Sequence, residues 1–288
     1  MGRSEFIYST RNKDIPVAYS LCHAMHTQCE ILLPNMKEDS ARTLCDGVWE
    51  MVEAADRDYN RYSSTGQLAL VNRSAAAGPV EVGEELFMLL ELCETFRRST
   101  LGWFDISANT ASRLNDRKLE LDAGNHTVRF CSEGIRLDLG GIAKGFVLEK
   151  AAKLVASATD SALISFGGSS TAAIGLHPLG GKWPVSVAHP YYPERPVDTY
   201  YLQNSSLSVS GKDPSGRGHI IDPKTGNIVS KDAMVAVCGA SPLVTEVLST
   251  ALWLAPDGDR KEILASFEGY DAWDLMPLAS GGARVYSL

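Results

Sequence analysis

TVRFCSEGIRLDLGGIAKGFVLEKAAKLVASATDSALISF, residues 127–166, decides the fold class when read in order. Two short alternating segments, TVRF and IRLDL, flank Cys131-Ser-Glu-Gly134 and predict a hairpin. Gly140 and Gly141 then turn the chain. Apolar residues at helical spacing carry it from Ala143 to about Ala156, and ALISF (162–166) returns to a strand. Outward from this stretch the mixture continues. Upstream, CEILL (29–33) reads as a strand, followed by amphipathic helices over 39–57, with Asp39 or Ser40 as cap, and over 84–98. Downstream, WPVSVA (183–188), TYYLQ (199–203), SLSVS (206–210), HII (219–221) and MVAVCGA (234–240) read as strands. Helices over 242–254 and 258–267 follow, and ARVYSL closes the chain as a strand. Strands and helices mix without strict βαβ order, so the expected class is α+β.

Composition narrows the function. The 288 residues are 44% hydrophobic and 22% charged, which excludes a disordered or collagen-like chain. Lys and Arg number 27 against 35 Asp and Glu, a net charge of −8, which argues against a nucleic-acid partner. No window approaches ~20 consecutive apolar residues, so no transmembrane segment is expected. Six cysteines are sparse for this length and read as reduced thiols. The start, MGRSEFIYSTRNKDIP, has no apolar core of a signal peptide. The chain therefore reads as cytoplasmic as written, or as periplasmic or membrane-anchored if an export signal has been removed.

Four motifs carry chemistry. In Asp138-Leu-Gly-Gly-Ile-Ala-Lys-Gly145 a strand gives way through two glycines to a helix. Glycines let backbone N–H groups approach a ligand, a helix N-terminus favours an anion, and Lys144 adds a full positive charge. The pattern is neither Walker A nor GxGxxG. Read locally it is equally a phosphate site or a tight turn with a solvated lysine. In Gly218-His-Ile-Ile-Asp-Pro-Lys-Thr-Gly226, turn chemistry accounts for Asp222, Pro223 and Gly226 but not for His219, a candidate phosphate ligand or acid/base. Glu246 and Thr250 stand at i and i+4, so a carboxylate and a hydroxyl share one helix face, as Mg²⁺ would want; a surface Glu and a packing Thr are the plainer reading. Trp103-Phe104-Asp105 suits either a flat heterocycle or the core, with the core the stronger choice. Cys22, His23, His26 and Cys29 fit no common zinc spacing. No nucleophile elbow and no S-x-x-K is present, so serine acyl transfer is not expected.

Taken together and in this order, these segments resemble the ApbE-type flavin transferases, over roughly residues 22–255. DLGGIAKG (138–145), the FGG turn (166–168) with Trp183 downstream, HIIDPKTG (219–226) and EVLSTAL (246–252) carry the likeness. Weaker support comes from MHT (25–27), YNRYSSTGQLALVN (59–72) and GWFD (102–105). The resemblance implies a single domain over 1–288, two intertwined α/β lobes around a flavin-nucleotide groove. It implies Mg²⁺-dependent transfer of FMN from FAD to a threonine hydroxyl of a target flavoprotein, with release of AMP. By match of motif, Met25, Tyr62, Trp103 and Phe104 fall on FAD-contacting positions, as do Asp105, Asp138 and Lys144. Gly141, through its backbone, and Glu246, Ser249 and Thr250 fall on metal ligands. His219 and Ile220 fall beside the pyrophosphate and the reacting centre. His219 is then the expected proton acceptor, with Asp222 orienting it or sharing the role.

Departures from the family pattern mark a divergent member. Glu246 stands where Asp is usual and MHT replaces Met-Gly-Thr. GGSS (167–170) replaces Gly-Gly-Asp and an apolar residue, SGKD (210–213) replaces Ser-Gly-Asp, and ISANTAS follows Asp105 in place of a Pro-Thr-Val run. Two further outcomes stay open: an FAD-binding protein without transferase activity, and an FAD pyrophosphatase giving FMN and AMP.

Overall fold

The computed structural model describes residues 4–108, 110, 118–211 and 220–288. Its main element is a nine-stranded sheet, antiparallel at every pairing, built from β1 (Glu5–Ser9), β2 (Val17–Ala24), β3 (Thr27–Pro34), β7 (Ser161–Phe166), β8 (Ser170–Gly175), β11 (Ser205–Ser210), β12 (Met234–Gly239), β13 (Asp271–Pro277) and β14 (Ala283–Ser287), adjacent in that order. A three-stranded sheet holds β4 (Val80–Glu81), β6 (Thr127–Phe130) and β5 (Leu119–Asp122), and a two-stranded ribbon holds β9 (Trp183–Ala188) and β10 (Pro196–Leu202). The helices are α1 (Glu38–Asp58), α2 (Gln67–Ser74), α3 (Glu84–Ser99), α4 (Ala143–Ala156), α5 (Pro242–Leu254) and α6 (Asp257–Ala265). The α+β class expected from sequence is the class observed.

Strand alternation assigns the two faces of the large sheet. On β12, Val235 and Val237 join Leu248 and Leu252 of α5, while Met234 and Ala236 join Trp183, Leu202 and Leu207 on the ribbon side. Helices α1 and α4 cover the β2, β3 and β7 part through Val48, Val52, Phe146 and Ala151. The long elements coincide with their sequence signals: α4 begins and ends where the apolar spacing does.

Three expectations are corrected. TVRF pairs with the preceding LELD strand, not with IRLDL. The 135–139 backbone is used elsewhere: Leu137 N–H donates to Asn72 Oδ1 at 2.7 Å, Asn72 Nδ2 donates to the Leu137 carbonyl at 2.9 Å, and Asp138 N–H donates to the Ile106 carbonyl at 2.7 Å. Helix α1 takes Lys37 as its N-cap without a side-chain cap, leaving Asp39 inside the first turn. HII forms no strand among the described residues; Ile221 makes a single bridge to Ile228, and His219 lies outside the described residues. Strands β1, β2, β4, β5, β8 and β13 and helix α2 had no expectation at all. The loop expected over 212–218 also lies outside the described residues.

The β2–β3 turn carries a measurable cost. Ala24 pairs with Thr27, so Met25 and His26 form a two-residue hairpin turn, with φ of 52° and 58°. Such turns require φ > 0 at both positions and favour Asn-Gly. A left-handed L-residue costs about 1–2 kcal/mol, partly offset by the greater freedom that glycine loses on folding. His26 is exposed, so its ring contributes little packing. His26→Gly is expected to stabilise the protein by about 0.5–1 kcal/mol. Calorimetry would then show the melting temperature higher by about 2 °C; an unchanged or lower value contradicts this account.

Candidate functional site

The site is built where α4 and α5 cross beside β8 and β11. Helix α5 starts on Pro242 with Ser241 Oγ accepting from Val244 N–H at 3.2 Å. One turn in, it presents Thr245, Glu246, Ser249 and Thr250. The facing strand β11 reads SSLSVS, and period two puts Ser206, Ser208 and Ser210 on the helix side. The two periods mesh into a ladder of hydroxyls. Ser206 Oγ lies 3.2 Å from Thr245 Oγ1, Ser208 Oγ 3.1 Å from Ser249 Oγ, and Ser210 Oγ 2.8 Å from Ser249 Oγ and 3.2 Å from Thr250 Oγ1.

Glu246 is the charged centre of this ladder, its side chain only 5% exposed. Burying a carboxylate is costly unless it is paired and hydrogen-bonded. Oε2 accepts from Ser170 Oγ at 2.5 Å and Ser208 Oγ at 2.9 Å, and Oε1 forms an ion pair with Lys144 Nζ from the first turn of α4. The crossing is close because Gly145 has no side chain: a Cβ there would lie 2.6 Å from Glu246 Cβ and 2.6 Å from the Pro242 carbonyl. Gly141 sits on the same side, where an added Cβ would meet Thr250 at 3.8 Å and Phe104 at 3.5 Å.

The other expected residues surround this centre unevenly. Asp138 Oδ1 accepts from Gly140 N–H at 2.9 Å, and Oδ2 pairs with Arg61 at 3.0 Å. Arg61 also lies over the Tyr62 ring, 4.6 Å from its centroid, and donates to the Tyr62 hydroxyl; Tyr62 is 74% exposed. Phe104 is buried against Phe96, a core residue as local reading favoured. Trp103 donates from Nε1 to Asp259 Oδ2 at 2.6 Å. Asp105 accepts from Ser107 N–H at 2.8 Å and Oγ at 2.5 Å and pairs with Lys118 at 3.0 Å. Met25 stands in the hairpin turn, half-buried against the main core. Ile220 packs against the cluster of α5 and β12. Asp222 is occupied by its own turn: Oδ1 accepts from Lys224 N–H at 2.7 Å and Oδ2 from Thr225 Oγ1 at 2.8 Å.

Lys144, Glu246, Ser249, Thr250 and Gly141 are therefore brought together, with Asp138 and Phe104 bordering them through the glycine turn. Among the described residues Tyr62 reaches Asp138 through Arg61, and Met25 stands apart in the β2–β3 turn against the main core. Sequence reasoning missed Ser170, Ser208, Arg61, Lys118 and Lys224. Ser208 had a readable signal, as the middle of three serines at alternate positions of β11. The charged residues had none, because their partners are distant in sequence.

A buried carboxylate, a row of hydroxyls, a glycine turn at a helix start and a lysine make an oxygen-lined centre suited to cations and to the anions they neutralise. The ApbE family profile matches residues 25–273, and the chain belongs to the ApbE family. It is 29% identical over 275 residues to the FAD:protein FMN transferase of Treponema pallidum, covering 79% of this chain and 74% of that protein. It is 24% identical over 237 residues to the enzyme of the same name from Chlamydia muridarum, covering 70% and 73%. In fold it is similar to the ApbE protein of Thermotoga maritima (TM-score 0.77, 20% identity, 98% and 96% covered) and to the flavin transferase ApbE of Vibrio cholerae (0.76, 16%, 100% and 97%). Among the described residues no helix is long and apolar enough to cross a membrane.

Proposed function

We propose that this protein transfers the FMN part of FAD to a threonine hydroxyl of an acceptor flavoprotein and releases AMP. The observation that carries the reading is the buried Glu246 carboxylate facing Lys144 beside the Gly140–Gly141 turn, at the crossing of α4 and α5. In the step, the threonine oxygen attacks the phosphorus attached to riboflavin. A new P–O bond forms, the bond to the AMP phosphate oxygen breaks, and AMP leaves with the charge. Phosphoryl transfer of this kind depends on positioning and charge neutralisation more than on a special nucleophile.

The donor set suits a divalent cation. Glu246 offers a carboxylate, Ser249 and Thr250 offer hydroxyls, and Gly141 offers a carbonyl, all hard oxygens of the type Mg²⁺ takes. Lys144 already stands on Glu246 Oε1 as a positive group, so a cation held by that oxygen would take the place of the ammonium. Mg²⁺ held there would neutralise pyrophosphate charge. Lys144 supplies a second positive charge: the pyrophosphate competes with Glu246 for its ammonium. Tyr62, Trp103, Asp105 and Asp138, with Met25 and Ile220, are the proposed FAD-binding residues, and Phe104 supports the Gly141 turn from the core side. His219 is assigned the threonine proton. Asp222 shapes the turn that follows it, and its carboxylate orients His219 if that turn is kept on binding.

The test is incubation with FAD and Mg²⁺, with and without a domain bearing the acceptor threonine, with products separated by chromatography and mass spectrometry. FMN on the acceptor and free AMP are expected. Free FMN and AMP without acceptor would make the protein a pyrophosphatase, and intact bound FAD under all conditions would make it a flavin-binding protein.

A further inference from the structure

Helix α3 ends in a way its sequence does not favour. Leu101 N–H donates to the Arg98 carbonyl at 3.2 Å and Gly102 N–H to the Arg97 carbonyl at 2.7 Å, the double closure of a Schellman motif. The left-handed position next to the C-cap normally belongs to glycine, yet Leu101 occupies it with φ of 54°, and the glycine comes one residue later, with φ of 75°. What the displaced glycine admits is a lysine. Lys224 Nζ donates to the Leu101 carbonyl at 2.6 Å, and a Cβ on Gly102 would lie 2.8 Å from that ammonium. The same ammonium stands 5.4 Å from the Trp103 ring centroid, within the range of a cation–π contact. At its other end Lys224 is fixed by Asp222, whose Oδ1 accepts its backbone N–H. A strained residue, a displaced glycine and a docked lysine thus join two segments more than a hundred residues apart.

We propose that Lys224 is a positioning residue: its ammonium, docked on the Leu101 carbonyl across Gly102 and against Trp103, sets the spacing between the Ile220–Gly226 turn and the Trp103–Asp105 segment. The assignment rests on the flavin-transfer reading, which needs both segments at one FAD molecule. Lys224 itself touches no reacting atom. Its loss leaves each segment able to bind its part of the ligand and misplaces one against the other, so the chemical step suffers more than affinity. A misplacement of about 1 Å far from the chemistry can cost up to about a hundredfold.

The experiment compares wild type, Lys224→Met and Lys224→Arg for AMP release with saturating acceptor and for FAD affinity by flavin fluorescence. Lys224→Met is expected to lower kcat about tenfold or more while the FAD dissociation constant stays within about threefold of wild type. Lys224→Arg, which keeps the charge and the donor, is expected to retain kcat within about threefold. Gly102→Ala, whose methyl group displaces the ammonium, is expected to reproduce the loss and to add little to it in the Lys224→Met background. An active wild type with Lys224→Met within twofold of it in kcat overturns the assignment, as does a loss that Arg does not restore. A wild type that neither binds FAD nor releases AMP condemns the flavin reading instead.

Discussion

Glu246→Ala is expected to lower the stability of the protein by about 3 kcal/mol and to reduce FMN transfer more than a hundredfold, estimated from the usual penalty for breaking a buried ion pair and from loss of the only carboxylate in the proposed cation set. The alanine leaves three donors facing a cavity. Ser170 and Ser208 are almost fully buried, and Lys144 keeps 23% side-chain exposure. Lys144 can therefore recover part of its hydration, and Ser208 keeps Ser249, which places the cost at the low end of about 3–5 kcal/mol. Glu246→Gln keeps the volume and an acceptor for the serines, so it should cost about 1–2 kcal/mol, the range for a strong hydrogen bond lost or weakened, with the same loss of transfer. Urea unfolding of the three proteins measures the first effect and AMP release the second. If Glu246→Ala unfolds at the same urea concentration as wild type, the carboxylate is not the brace described here. If Glu246→Gln transfers FMN normally, its charge has no part in the chemistry.

This brace shows what could be read from sequence. Helix α5 and the i, i+4 relation of Glu246 and Thr250 were legible, because both depend on local spacing. That Glu246 is buried was not legible, since a lone Glu on an apolar helix reads as a surface residue. Its burial depends on Ser170, 76 positions away, on Ser208, 38 away, and on Lys144, 102 away. The false hairpin at 127–139 has the same origin. IRLDL alternates as a strand would, but a side chain from α2, Asn72, takes the hydrogen bonds a partner strand would have made. The turn around Asp222 was legible from Asp-Pro-x-Thr-Gly alone, whereas its tether to the end of α3 was not. Motif resemblance reached further than local pattern because it records which segments come together, though it assigned no role to Arg61, inside one of those segments, and did not reach Lys118; these two hold Asp138 and Asp105.

Gly145→Ala tests whether the close crossing of the two helices makes the site. In an exposed helix interior the change would stabilise by up to about 1 kcal/mol, because alanine loses less backbone freedom and favours helix. Here the new methyl group would lie 2.6 Å from Glu246 Cβ, 2.6 Å from the Pro242 carbonyl oxygen and 3.1 Å from Leu243 Cα. Two of these are backbone atoms at the start of α5, so no side-chain rotation relieves them and the helices must separate. Overpacking of that kind costs typically about 1–3 kcal/mol and occasionally more, which outweighs the propensity gain. A net loss of about 2 kcal/mol is therefore expected. Separation also pulls Lys144, the neighbouring residue, away from Glu246, so transfer should fall with stability. Gly47→Ala in α1 is the matched control, since its methyl group would meet only Leu154 Cδ2 at 3.9 Å. It should stabilise by about 0.5–1 kcal/mol and leave transfer unchanged. If both variants are stabilised alike, the α4–α5 crossing has slack that the geometry denies, and the ion pair at its centre is not held by the packing of the two helices.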